Sequence, residues 1–289
     1  MKLTNYKSKF LQELSPIYDE METASFFYLI MEHLHQLKRI DLALNPETEI
    51  SESDVEKWSA ILSALKIEKP IQYLLGKTEF YGLKFKVNEN VLIPRPETEE
   101  LVDLIIDESQ KAKVESLKIL DIGTGSGCIA ISLAKNIPNA EVFAIDISKE
   151  ALETAKENAK INEVKVNFIQ QNILQINDLT FDLELSTFDV IVSNPPYVRM
   201  LEKEEIKPNV LEYEPHLALF VEDNDALLFY RKIAQLAKEN LSEDGKLYFE
   251  INQYLGKETV QLLVDLGFKN IELIKDIYDN DRIVSCAKN

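Results

Sequence analysis

The chain has 289 residues, room for one large domain and a smaller one, and its 45% hydrophobic and 28% charged content suits a protein that buries a core. A formal net charge of −18 argues against direct DNA binding, because duplex phosphates are usually met by a basic face. No apolar run approaches the ~20 residues of a membrane-spanning helix, the opening Met1-Lys2-Leu3-Thr4 lacks the apolar stretch of a secretory signal, and Cys128 and Cys286 both sit among apolar residues, so a reducing cytoplasm is expected.

Residues 1–75 read as a small helical domain without strands. Phe27, Ile30, Met31, Leu34 and Leu37 follow the stripe of an amphipathic helix. Ser53 and Glu56 predict a capping box for the next helix, which turns Val55, Trp58, Leu62 and Leu65 to one face. Lys69-Pro70 ends this stretch, since a residue before proline avoids the helical region. His33 and His35 have no cysteine partners nearby and suggest no metal site, and Trp58 reads as core. Residues 76–96 read as a β-hairpin linker: an alternating strand over 80–87, a turn at Asn88-Glu89-Asn90, a return strand at Val91-Leu92-Ile93, and a stiff exit through Pro94-Arg95-Pro96.

In residues 97–289 helices and strands alternate. A helix beginning near Glu97 carries Leu101, Leu104 and Ile105. Strands are predicted at 118–122, 141–146, 164–170, 188–193, 246–251, 271–274 and 282–286, and helices at 129–136, 149–162, 226–240 and 258–266. This order predicts an α/β domain with a mostly parallel sheet covered by helices on both faces. The last two strands, with no helix between them, predict an antiparallel pair.

Two loops carry the chemistry. The first, Asp121-Ile122-Gly123-Thr124-Gly125-Ser126-Gly127, joins a strand to a helix and uses three of the protein's eight glycines. Glycines there permit a tight turn and let a ligand approach the backbone. Asp146 follows at the end of the next strand, where an open parallel sheet sets an acid against a ribose diol. A dinucleotide fingerprint would separate its last two glycines by two residues, and a P-loop would end in Gly-Lys-Ser/Thr; neither pattern fits. The second loop, Asn194-Pro195-Pro196-Tyr197, ends the fourth strand. Its prolines fix φ and hold Asn194 extended, which makes a rigid, acceptor-rich elbow.

The glycine loop resembles motif I of the Rossmann-like class I methyltransferases, and Asn-Pro-Pro-Tyr resembles the signature of those that methylate nitrogen on a planar group. That resemblance implies S-adenosylmethionine as cofactor and no metal. It sets Asp121 near the methionine ammonium, wraps Gly123, Thr124, Gly125, Ser126 and Gly127 around the amino-acid and ribose portions, gives the ribose hydroxyls to Asp146, and counts Ile147 and Asn194 with the cofactor site. Asn172 and Ile173 would flank adenine, with Asn172 standing where the family usually has an acid. Asn194 and Pro195 would accept the two N–H groups of the substrate nitrogen, and the Tyr197 ring would pack on its flat face, with Pro196 stiffening this substrate-binding loop.

Over the whole chain the sequence resembles the release-factor glutamine methyltransferases (the PrmC/HemK family). The resemblance rests on Pro70-Ile71-Gln72-Tyr73-Leu74-Leu75-Gly76, Glu79-Phe80-Tyr81-Gly82, Leu92-Ile93-Pro94-Arg95-Pro96-Glu97-Thr98-Glu99, the two loops, Glu214-Pro215 with Ala218-Leu219, Phe229-Tyr230-Arg231 and Asp281-Arg282. It implies methylation of the glutamine of the Gly-Gly-Gln motif in peptide-chain release factors, by a helical recognition domain and a methyltransferase domain. The departures at Glu222 to Ala226, Asn252 and Asp279 are expected to leave the chemistry untouched, and His216 is expected to have a loop role. A ribosomal-protein glutamine methyltransferase, a nucleic-acid adenine methyltransferase and a cofactor-binding module without catalysis are the alternative readings.

Overall fold

A computed structural model describes residues 1–112, 116–176, 179 and 187–289. They form two compact units, one of Met1–Gly76 with Pro208–Tyr213, the other of Lys77–Lys207 with Glu214–Asn289. Among the described residues no helix is long and apolar enough to cross a membrane.

The first unit is helical: α1 (Leu3–Leu14), α2 (Glu20–His35), α3 (Arg39–Leu44), α4 (Glu52–Leu65), α5 (Ile71–Leu75) and a short helix at Pro208–Tyr213. Leu3, Tyr6, Phe10 and Leu14 give α1 one buried stripe. In α2, Phe27, Ile30 and Met31 are buried as the periodicity predicts, whereas Leu37 lies past the helix end because Gln36 turns left-handed at φ 57°. The cap of α4 is Ser51, not Ser53. Ser51 Oγ accepts from the Asp54 N–H at 3.1 Å and donates to the Asp54 carboxylate at 2.7 Å, so an earlier Ser-x-x-acid pair wins the turn. Trp58 is fully buried at the centre, stacked on Phe27 at 4.9 Å and edge-on to Phe10 at 5.8 Å. Its indole N–H donates to His35 Nε2 at 2.9 Å, a bond that requires the neutral imidazole, and burial holds the His35 pKa below its ordinary value.

The second unit begins with a hairpin, displaced from the one the sequence suggests. Strands β1 (Lys77–Phe80) and β2 (Leu83–Lys86) pair across Tyr81-Gly82, with φ 48° and 70°; two positive φ values in a row make the tight turn whose twist matches the strands. Without the usual Asn-Gly or Asp-Gly cue, the turn was not legible, and Val91-Leu92-Ile93 forms no strand. Asn158 mimics a strand partner here: its amide oxygen accepts from Lys86 N at 2.6 Å and its Nδ2 donates to Lys86 O at 3.0 Å.

The rest alternates: α6 (Pro96–Ala112), β3 (Leu117–Ile122), α7 (Cys128–Asn136), β4 (Ala140–Asp146), α8 (Lys149–Ile161), β5 (Asn167–Gln170), β6 (Phe188–Ser193), the short β7 (Val198–Arg199) and β8 (Phe220–Val221), a helix at Leu228–Asn240, β9 (Leu241–Glu250), a helix at Gly256–Asp265, β10 (Lys269–Lys275) and β11 (Asp281–Ala287). Seven strands form one sheet in the order β10-β11-β9-β6-β3-β4-β5, parallel from β9 to β5, with β11 antiparallel to both neighbours. Two apolar cores cover its faces. One gathers Tyr230, Ile233 and Leu263, the other Leu101 and Ile105 of α6 with Ile131 of α7 and Ala159 of α8. The chain runs outward from β3 through β4 to β5, then returns to the other side of β3 as β6. Ligand crevices form at the carboxyl ends of strands at such a reversal.

Candidate active site

The two loops predicted to carry the chemistry meet at that reversal. Strands β3 and β6 are neighbours, with Ile122 opposite Ser193, and the Ser193 hydroxyl donates to Ile122 O at 2.6 Å. A Cβ added at Gly123 would have one neighbour within 4 Å, the carbonyl oxygen of Asn194 at 4.0 Å. A cavity of about 400 Å³ opens between the loops, with Gly123, Thr124, Gly125, Ser126, Asp146, Ile147, Asn172, Ile173, Asn194, Pro195 and Pro196 in its wall.

Three predicted residues stand behind that wall. Gly127 initiates α7 at φ 83°, and a Cβ there would lie 2.8 Å from Ile131 Cδ1 and 3.1 Å from Ala155 Cβ; this glycine exists for the close packing of α7 on α8. Asp121 is fully buried under the loop, its Oδ2 accepting from the Thr124 hydroxyl at 2.7 Å. Burial pushes its carboxyl up to about 7, against the lowering effect of the Thr124 bond. Tyr197 packs its ring against the sheet core and donates its hydroxyl to Glu250 Oε1 at 3.2 Å, so it supports the loop from behind instead of offering its ring to the cavity.

Asp146 organises the glycine loop. Its Oδ2 accepts from Gly125 N at 2.8 Å and its Oδ1 from Ser148 N at 2.9 Å, leaving each oxygen one further lone pair. Its carboxyl is held above the ordinary range by burial, which the two N–H donors partly offset. The cap of α8 is Ser148, whose hydroxyl accepts from Ala151 N at 3.1 Å, so Asp146 is not spent on that helix. Asn172 Oδ1 accepts from Leu174 N at 3.0 Å, closing a single helical turn, and the amide keeps an acceptor lone pair and its NH₂ group.

The wall also includes Leu92, Pro94, Arg95, Thr98 and Phe229, from stretches that carry the family resemblance but had no role assigned at the site, and Leu217, which lies outside them. Arg95 donates to Glu214 Oε1 at 2.6 Å, while Glu214 Oε2 accepts from Ile93 N at 3.1 Å; the buried carboxylate thus fixes both the guanidinium and the incoming backbone. Asn194 Nδ2 donates to Thr98 Oγ1 at 3.4 Å. Asn252, expected to leave the chemistry untouched, lies outside the cavity wall but bonds the loop behind it. Asn252 Nδ2 donates to Tyr197 O at 3.0 Å and to Glu202 Oε2 at 2.9 Å, pinning the loop that carries Asn194. Burial alone would raise the Glu202 pKa, but its bonds from Arg199 and Asn252 hold it below the ordinary value. A side chain at a position read only as a lost glycine had no sequence signal for this contact. Among the described residues, no group of three or more His, Cys, Asp or Glu could hold a metal ion.

A parallel sheet with a glycine turn after one strand and an acceptor-rich elbow after its neighbour is methyltransferase architecture, and residues 113–284 match the family model described as a methyltransferase domain. A solved methyltransferase from Pyrococcus furiosus has the same fold, with a TM-score of 0.51 at 19% identity, covering 81% of this chain and 98% of that one. Residues 5–76 match the PrmC N-terminal domain. The chain is 63% identical to the release factor glutamine methyltransferase of Flavobacterium psychrophilum, over 98% of both chains. It is 43% identical to that of Bacteroides thetaiotaomicron, over 96% of this chain and 97% of the relative. The chain belongs to the release factor glutamine methyltransferase family.

Proposed function

We propose that this protein transfers a methyl group from S-adenosylmethionine to the side-chain amide nitrogen of the glutamine in the Gly-Gly-Gln motif of a cytoplasmic peptide-chain release factor. The observation that carries the reading is the meeting of the Gly123 loop and Asn194 at one edge of the sheet, across a single cavity. The donor set suits this cofactor: Asp146 keeps lone pairs for a ribose diol, and Gly123 leaves the backbone open. Residues 1–75 are proposed to recognise the protein substrate, with residues 76–96 as linker and 97–289 as the methyltransferase domain.

When bound, S-adenosylmethionine supplies a methyl group made electrophilic by its positively charged sulfur. Asp146 would hold the ribose hydroxyls, Ile147 and Ile173 would enclose adenine, and the Asn172 amide would meet its edge. Asp121 would support the loop through Thr124 and add negative charge beneath the methionine ammonium. An amide nitrogen is a poor nucleophile because its lone pair is delocalised into the carbonyl. Asn194 Oδ1 and the Pro195 carbonyl would accept its two N–H groups and orient it toward the methyl, so rate comes from position and electrostatics.

The test uses a tritiated methyl donor and purified release factor, intact or with the motif glutamine replaced. Label should enter the intact factor alone, and Asn194→Ala should lower turnover by roughly 10²–10³ while retaining cofactor affinity. Label on ribosomal protein or nucleic acid instead of release factor would overturn the substrate assignment.

A further inference from the structure

A side-chain amide has two ends of similar shape, and only the oxygen of Asn194 can accept from a substrate N–H. Something must decide which end faces the ligand. Thr98, in the first turn of α6, and Glu250, at the end of β9, are 2% and 1% exposed and lie next to Asn194 and Tyr197. Thr98 Oγ1 donates to Glu250 Oε2 at 2.6 Å, and the Tyr197 hydroxyl donates to Oε1 of the same carboxylate at 3.2 Å. A hydroxyl has one proton, and Thr98 spends it on the carboxylate. Toward Asn194, therefore, the Thr98 oxygen can only accept, and the group it meets is Asn194 Nδ2 at 3.4 Å. The polarity runs one way, from amide NH₂ to hydroxyl to carboxylate, and reserves Asn194 Oδ1 for the cavity.

We propose that Thr98 and Glu250 are positioning residues: the buried carboxylate, acting through the Thr98 hydroxyl, fixes the orientation of the Asn194 amide so that its oxygen is the atom offered to the substrate nitrogen. This rests on the proposed glutamine methyl transfer. The same carboxylate holds Tyr197, so one buried charge anchors both ends of the Asn194-Pro195-Pro196-Tyr197 elbow. Burial holds the Glu250 carboxyl above its ordinary value, with Glu97 adding to it, while the bonds from Thr98 and Tyr197 and the charge of Arg282 pull toward the ionised, acceptor-only state that this polarity uses. A Gln at position 250 could donate to Thr98 and free the hydroxyl proton to turn the amide over.

The experiment measures kcat and KM on purified release factor for the wild type, Thr98→Val, Thr98→Ser, Glu250→Gln, Asn194→Ala and the Thr98→Val/Asn194→Ala double variant. Thr98→Val, nearly isosteric but without the hydroxyl, and Glu250→Gln should each lower kcat roughly 10- to 100-fold, the loss expected for one hydrogen bond backed by a charged group. Cofactor affinity should stay within about twofold, inside the ~0.5 kcal/mol scatter of a neutral change. Thr98→Ser should recover most of the rate, and Thr98→Val should add little to Asn194→Ala, because both remove the same oriented acceptor. In a ¹⁵N–¹H spectrum the Asn194 side-chain NH₂ resonances should shift in Thr98→Val and return in Thr98→Ser. An active wild type with an unimpaired Thr98→Val variant, or a Thr98→Val loss undiminished beside Asn194→Ala, overturns the positioning role alone. A wild type inactive on release factor, with the NH₂ resonances still answering to Thr98, overturns the functional reading and leaves the amide lock standing.

Discussion

Gly123 and Gly127 belong to one motif and share a left-handed backbone, at φ 76° and 83°, yet alanine at each should fail for a different reason. Backbone strain alone costs about 1–2 kcal/mol for an L-residue in that region. At Gly123 that is the whole stability cost, since a Cβ would have only Asn194 O within reach, at 4.0 Å. At Gly127 the Cβ would press on Ile131 Cδ1 at 2.8 Å and Ala155 Cβ at 3.1 Å. The isoleucine tip can rotate, but Ala155 has no rotamer to change, so α8 itself must move. Overpacking of this kind adds about 1–3 kcal/mol, which puts Gly127→Ala near ~2–5 kcal/mol in total. Urea denaturation followed by circular dichroism measures the two costs, and calorimetric titration with S-adenosylmethionine measures binding. Gly123→Ala should be the more stable variant and bind at least about tenfold more weakly, a ~1.4 kcal/mol loss. Gly127→Ala should be less stable, with near-normal affinity in its folded fraction. Equal stability losses would refute the packing argument, and full affinity in Gly123→Ala would refute ligand approach to that backbone.

Two further outcomes follow from the carboxylates. Asp146→Asn must turn an NH₂ toward the N–H of Gly125 or Ser148, each now bonded to a carboxylate oxygen within 2.9 Å, and should weaken cofactor binding by about 10- to 100-fold; an unchanged Kd would remove the ribose assignment. Asp121, raised to about 7, favours its protonated form in the folded protein more than in the unfolded chain. Its contribution to stability is therefore complete below about pH 4 and is lost as pH rises toward 7, up to about 4 kcal/mol. Asp121→Asn should flatten that decline in urea titrations between pH 5 and pH 8, and parallel pH profiles for variant and wild type would show that Asp121 does not titrate there.

What the sequence determined by itself was local and periodic: the alternating strands and helices, the glycine turn after β3, and the stiff Asn194-Pro195-Pro196-Tyr197 elbow after β6. These are legible because glycine and proline set φ through their own covalent structure and because burial on one face repeats at the period of a helix or strand. Tertiary structure alone decided what each motif residue faces. Gly127 answers to Ala155 on another helix, Tyr197 turns to the carboxylate at the end of β9, and Thr98 reaches Glu250 across 152 positions of chain. The β1–β2 turn has no local cue, because Tyr81 adopts a positive φ that its own side chain does not favour, in a hairpin held by Asn158 from 72 residues away. Hydrogen-bond polarity and side-chain packing join residues with no fixed spacing, so no period in the sequence encodes them, and they appear only once the sheet has brought its strand ends together.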